Sequence, residues 1–175
     1  MNSPTTSDIS TDELVGALDA RGVPFLTGGV QTPRALALTP RELLLGLVRD
    51  ADARVQLAVI PLLLVHPEYA ELAPEVAHQL QGPNQLTFQF YYTAAYFLQH
   101  KYETGLKQTI GERKRLPDLY STLLGIRETE PEAALTALGK RHQTLSGEPV
   151  NWRGTYEHAA VRLLKHAAAE HSWAI

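Results

Sequence analysis

The chain has 175 residues, 44% of them hydrophobic, and its 16 basic against 19 acidic residues give a formal charge of −3. That length suits one domain with a sizeable core. The near-balanced charge argues against a surface tuned throughout to nucleic acid, while leaving room for a local basic patch. With no cysteine at all, disulfides, thiolate metal sites and cysteine nucleophiles are excluded.

Residues 1–9, MNSPTTSDI, are polar and read as a tail; they lack the basic start and apolar run of a secretory signal. Ser10 or Thr11 then caps a short helix with Asp12 and Glu13 in its first turn, where negative charge suits the helix dipole. Gly22 and Pro24 end it. From 23 to 38 the apolar pattern lapses, and Gly28, Gly29 and Pro33 predict an irregular connecting segment with a short extended piece at 23–26. Thr39-Pro40-Arg41-Glu42 is the clearest local signal: a capping threonine, a proline that has no N–H to waste, and a glutamate that reaches back to the cap.

The next helix, 53–65, is apolar at nearly every position from Leu57 onward. A helix without a polar face is enclosed all round, and Pro61 should kink it. His66-Pro67 ends it, and Pro67 and Pro74 open two short segments running to Leu80. Asn84 is the expected cap of a central helix over about 85–110, where Phe88, Tyr91, Tyr92, Ala95, Leu98, Tyr102 and Leu106 keep helical spacing. Gly111 and Arg113-Lys114-Arg115 connect it to a short helix expected from Pro117 to Leu124. Pro131-Glu132 opens a further helix that Ser146-Gly147 closes, and a last one starts between 151 and 155. Together these predict an all-α fold, a compact bundle of about eight helices forming one domain over 10–175. The longest apolar run falls far short of the ~20 residues that span a bilayer, so no membrane is expected and the cytoplasm is the expected compartment.

Within residues 49–64, Asp50, Asp52, Val55, Ala58 and Leu62 resemble one unit of a HEAT-type helical repeat, with Gln56 where that family usually has arginine. No second unit follows at a fixed period. The resemblance implies a helical hairpin in the middle of the chain and a scaffold that binds another macromolecule. Val23-Pro-Phe-Leu-Thr-Gly28-Gly29 looks like the opening of minimal nucleotidyltransferases, but the paired aspartates on a neighbouring strand that the family needs are missing. Arg153-Gly-Thr-Tyr-Glu-His158 resembles the arginine-four-residues-histidine motif of HEPN-type ribonucleases, which are small all-α proteins. That resemblance implies metal-independent RNA cleavage at a two-fold interface, hence a homodimer. His158 would take a proton from a ribose 2′-hydroxyl and Arg153 would stabilise the phosphorane charge.

The last helix also carries His158, Arg162, Lys165 and His166 along one face, a row that could grip phosphates. Arg113, Lys114 and Arg115, near the tyrosines of the central helix, form a second candidate nucleic-acid surface, although aromatics at helical spacing are more often core. Among the 7 histidines no pair has the i, i+4 spacing of a helical metal site. His142, His158, His166 and His171 would have to assemble one through tertiary folding, and neither metal nor cofactor is expected. The leading reading is a non-catalytic interaction protein whose partner is another protein. One specific form is an accessory or neutralising subunit of a bacterial two-component system such as a toxin–antitoxin pair. The alternatives are the HEPN-like ribonuclease and a non-catalytic RNA- or DNA-binding helical domain.

Overall fold

The structure, a computed structural model, describes residues 9–173, with side chains through 170. The elements are α1 (Thr11–Ala20), α2 (Pro33–Ala37), α3 (Pro40–Arg49), α4 (Ala53–Leu57), α5 (Val59–Val65), a 3-10 segment (Pro67–Leu72), α6 (Ala73–Gln79), α7 (Gly82–Lys101), α8 (Glu103–Ile110), α9 (Pro131–Ser146) and α10 (Trp152–Trp173). There is no strand among the described residues. The fold is an all-α multi-helix bundle, and none of its described helices is long and apolar enough to cross a membrane.

The caps set the helix starts. Ser10 and Glu13 form a reciprocal capping box at α1, and Thr39 and Glu42 form another at α3. Residues 1–8 of the expected tail lie outside the described residues. Ile9 belongs instead to the domain: it packs against the core, and both it and Leu14 come up against Gly46. An apolar residue before the cap meeting the one four positions into the helix is a hydrophobic staple. In the segment from 23 to 38 the structure adds α2, where Thr32 accepts from the Ala35 N–H at 3.0 Å and Pro33 occupies the first turn.

All seven side chains of α5 are buried, and α5 packs against α3, α7 and α10. The break that Pro61 causes falls in the turn before it, at Ala58, which ends α4 with a 3-10 bond to the Val55 carbonyl. The reason is geometric: Pro61 has no N–H for the Leu57 carbonyl, and its ring crowds that carbonyl. α3 lies along both α4 and α5, so residues 40–65 form a helical hairpin. Gln56 ties its turn, its side-chain amide donating to the Val48 and Asp50 carbonyls at 2.9 Å each.

Two further expectations need correction. The central helix starts at Gly82, without a side-chain cap and with Asn84 inside its first turn, and it breaks at Tyr102 (φ −104°, ψ 22°) to give α7 and α8. The helix expected from Pro117 to Leu124 is only a run of turns, with Leu124 N–H bonding the Tyr120 carbonyl and Ile126 N–H the Ser121 carbonyl. Asp118 accepts from both the backbone N–H and the hydroxyl of Ser121, and Gly125 takes φ +77°. A single capped turn closed by a left-handed residue has no second turn to repay its nucleation.

Candidate functional site

The run from 111 to 130, between α8 and α9, is a strap of twenty residues without helix. Leu116, Tyr120, Ser121, Leu124 and Ile126 bury themselves, while the other side chains of the run are exposed. Hydrogen bonds fix its path. The Gln99 amide donates to the Lys114 carbonyl and accepts from the Leu116 N–H, both at 2.8 Å. The Tyr92 hydroxyl donates to the Pro117 carbonyl at 2.8 Å, and Arg113 Nε donates to the Val65 carbonyl at the end of α5 at 2.9 Å. Replacing Gln99 with alanine is expected to cost about 1–2 kcal/mol, one to two ordinary hydrogen bonds, and to speed tryptic cleavage at Arg113–Arg115 several-fold. Unchanged digestion would mean that the clamp does not hold the strap.

Among the described residues, three clefts that border the strap stand out. One of about 470 Å³ is lined by Gln99, Glu103, Lys107 and 111–115, and one of about 530 Å³ by Tyr96, Asp118 and 125–129. The third, about 460 Å³, is lined by Pro67, Ala70, Pro74, Pro117 and Leu119 together with Glu68, Glu71, Lys114 and Arg115. The basic residues are unequal. Arg115 pairs with Glu103 at 2.5 Å and reaches His100 Nδ1 at 3.2 Å; burial first, then Arg115, pushes the His100 pKa down. Arg113 spends its Nε on helix α5. Lys114 has no ion pair among the described residues and is the free cation of the three. The tyrosines proposed as a stacking platform face inward: Tyr91 and Tyr92 are buried, and only Tyr96 and Tyr102 stay partly accessible.

Arg153 and His158 are not brought together. The Arg153 guanidinium turns to α9, where it bonds Glu132 and the Thr136 hydroxyl. Glu132 also pairs with Lys101 at 2.9 Å, and Lys101 and the Tyr102 hydroxyl both reach Glu157, so one charged network joins α7, α9 and α10. Lys101 and Arg153 hold Glu132 below its usual carboxylate pKa. Burial works against the charge of Lys101, but its carboxylate partners outweigh it and raise its pKa. His158 lies elsewhere, in a cleft with Phe25, Thr27, Asp52 and Arg54, which it shares with Arg162. Lys165 and His166, farther along α10, are exposed. No three His, Asp or Glu side chains converge as a metal site among the described residues, and His171 lies outside the described side chains.

Sequence reasoning missed Gln99, Leu119 and Leu123. Nothing in the residues around Gln99 signals a clamp, but Pro117-Asp118 followed by Ser121 is turn chemistry and identifies the strap as turn-built. Compared with protein-family models, with curated proteins and with solved structures, the chain matches none.

Proposed function

We propose that this chain is a non-catalytic helical interaction protein that binds another macromolecule, a protein, along the 111–130 strap. The observation that carries the reading is a twenty-residue run held in one path without helix. Loops longer than about 12–15 residues with no secondary structure are uncommon in compact domains and are usually functional. The strap spends its buried side chains on fixing itself and turns Leu119 (37% exposed) and Leu123 (67% exposed) outward. Apolar anchors among exposed groups of both signs, Lys114, Asp118, Arg127 and Glu128, match the make-up of a protein interface, in which an apolar centre is ringed by polar groups. The partner that fits presents an apolar segment to Leu119 and Leu123.

The test is purification from native cells under mild conditions, with cross-linking of whatever co-elutes. A single protein in fixed ratio, cross-linked within 111–130 and lost at least tenfold from a Leu119→Asp/Leu123→Asp variant that unfolds like wild type, is the expected result. A clean monomer overturns the interaction reading, and a partner retained by the double variant overturns the strap as its seat. Mixed RNA should remain intact with both the wild type and an Arg153→Ala/His158→Ala variant. Cleavage that this variant loses would make the chain a ribonuclease instead. RNA binding that falls steeply with salt, and weakens when Arg162 and Lys165 are neutralised, would make it a nucleic-acid binder.

A further inference from the structure

We infer that the cleft between α1, the 23–27 loop, α4 and α10 is a binding site for a carboxylate carried on a short apolar group. This site shares no residue with the strap and does not rest on it. Its floor is Val15, Phe25, Val55 and Leu57, all buried. Its polar groups are Arg162 and His158, one turn apart on α10, with Thr11, Thr27 and the Asp52–Arg54 pair. At about 240 Å³ the cleft is below the range of drug-sized sites and takes only a small group.

The charge balance there is opposite to that of the chain. Arg54 is already matched, its guanidinium bonding Asp52 at 3.1 Å. Asp50, which does not line the cleft, spends its carboxylate on the Thr11 hydroxyl and the Asp52 N–H, each at 2.8 Å. That leaves Arg162 without a carboxylate among the described residues, in a protein of net charge −3. Its guanidinium sits over the Phe25 ring, 5.3 Å from the centroid. An aromatic face under a guanidinium orients it without using its N–H donors. A half-buried cation, pre-positioned at the edge of an apolar floor and lacking a counter-charge, is complementary to one carboxylate whose tail lies on that floor. A single free guanidinium suits a monoanion better than a phosphate dianion. The carboxylate has two sources, a free small acid or the C-terminal residue of a peptide ending in an apolar side chain.

Amide chemical shifts of the intact chain, titrated with five probes, test this. The probes are 4-methylpentanoate, its amide, inorganic phosphate, and an acetylated Ala-Ala-Val peptide with a free or an amidated C-terminus. Shifts at 25–27 and 54–57 are expected with the free carboxylates and not with the amides, and binding should weaken roughly tenfold or more in Arg162→Gln. Response to the peptide alone identifies a protein C-terminus as the ligand, and response to 4-methylpentanoate alone identifies a free acid. The proposal is overturned if neither acid binds, if the amides bind as well, if phosphate binds more tightly, or if Arg162→Gln binds like wild type. Should Arg162→Gln fail to fold, Thr27→Trp, at an exposed position, narrows the mouth; undiminished binding there overturns the site equally.

Discussion

Replacing Gly16 with alanine is expected to destabilise the protein by about 2 kcal/mol, the middle of the range for overpacking, lowering Tm by roughly 4–8 °C for a chain of this size. Intrinsic helix propensity predicts the opposite sign, since Gly16 lies inside α1 and alanine is favoured over glycine by about 1 kcal/mol in a helix interior. Packing decides. A Cβ at Gly16 would stand 2.1 Å from the Val30 carbonyl oxygen and 2.5 Å from its carbon. Those atoms are backbone and cannot rotate aside. Gly29 faces the same contact from the other side, where a Cβ would meet the Gly16 nitrogen at 2.7 Å. To make room, segment 28–31 would have to leave α1 and give up the bond from Val30 N–H to the Asp12 carbonyl, 3.0 Å long. Gly105 in α8 is the internal contrast. A Cβ there would touch only Leu164, at 3.6 and 3.8 Å, which is ordinary contact, so Gly105→Ala is expected to stabilise by about 0.5–1 kcal/mol. Thermal unfolding of the two variants beside wild type reads both signs, and a Gly16→Ala protein as stable as wild type would disprove the close approach.

That pair also marks where sequence reading stops. Local chemistry is legible wherever a residue acts on its own neighbours: Thr39 with Glu42, Ser10 with Glu13, Pro131 opening α9 and left-handed Gly147 closing it. The enclosed character of α5 is legible too, because an all-apolar helix has only one place to go. Thr32-Pro33 carries the same cap-and-proline signal as Thr39-Pro40, but it lacks a glutamate at the third position and an apolar period behind it, and α2 lasts five residues. What escapes is decided by distant partners. The contact of Gly16 with Val30 bridges a loop, Gln99 bonds a strap carbonyl fifteen residues on, and Tyr92 reaches across twenty-five residues to hold the Pro117 carbonyl at the start of a segment that Gly125 closes after a single turn. The candidate site divides in the same way. Arg162 and His158 lie four apart on one helix and share a cleft. Arg153 and His158, five apart, point to different neighbours because α9 offers Glu132 and Thr136 to the arginine.

Acid should unfold this protein through His142, and removing that group should blunt the effect. His142 is 3% exposed, with its ring stacked 4.2 Å from Phe90 on one side and 3.6 Å from Trp152 on the other. Its Nδ1 lies 2.5 Å from the Tyr156 hydroxyl. Tyr91 and Tyr156 are the titratable groups around it, and burial raises both of their pKa values, so neither supplies a negative charge. A neutral imidazole accepting from the tyrosine fits this sandwich, whereas an imidazolium would be buried without a counter-charge. Burial accordingly pushes the His142 pKa down to about 3, against about 6.5 in the unfolded chain. Because the unfolded state binds the proton more readily, the stability His142 confers is complete above pH 6.5 and is lost as pH falls from there toward 3. The slope is at most about 1.4 kcal/mol per pH unit, or roughly 2–3 kcal/mol lost by pH 4.5. A His142→Phe/Tyr156→Phe variant replaces both hydrogen-bond partners with rings of similar shape, an exchange that can be nearly neutral at pH 7. The carboxylates and the other histidines titrate in both proteins and cancel in the comparison. Urea unfolding at pH 7 and pH 4.5 should therefore show wild type losing about 2–3 kcal/mol more than the double variant between the two conditions. Equal losses would mean that water reaches the imidazole and that the Phe90–His142–Trp152 stack opens in solution.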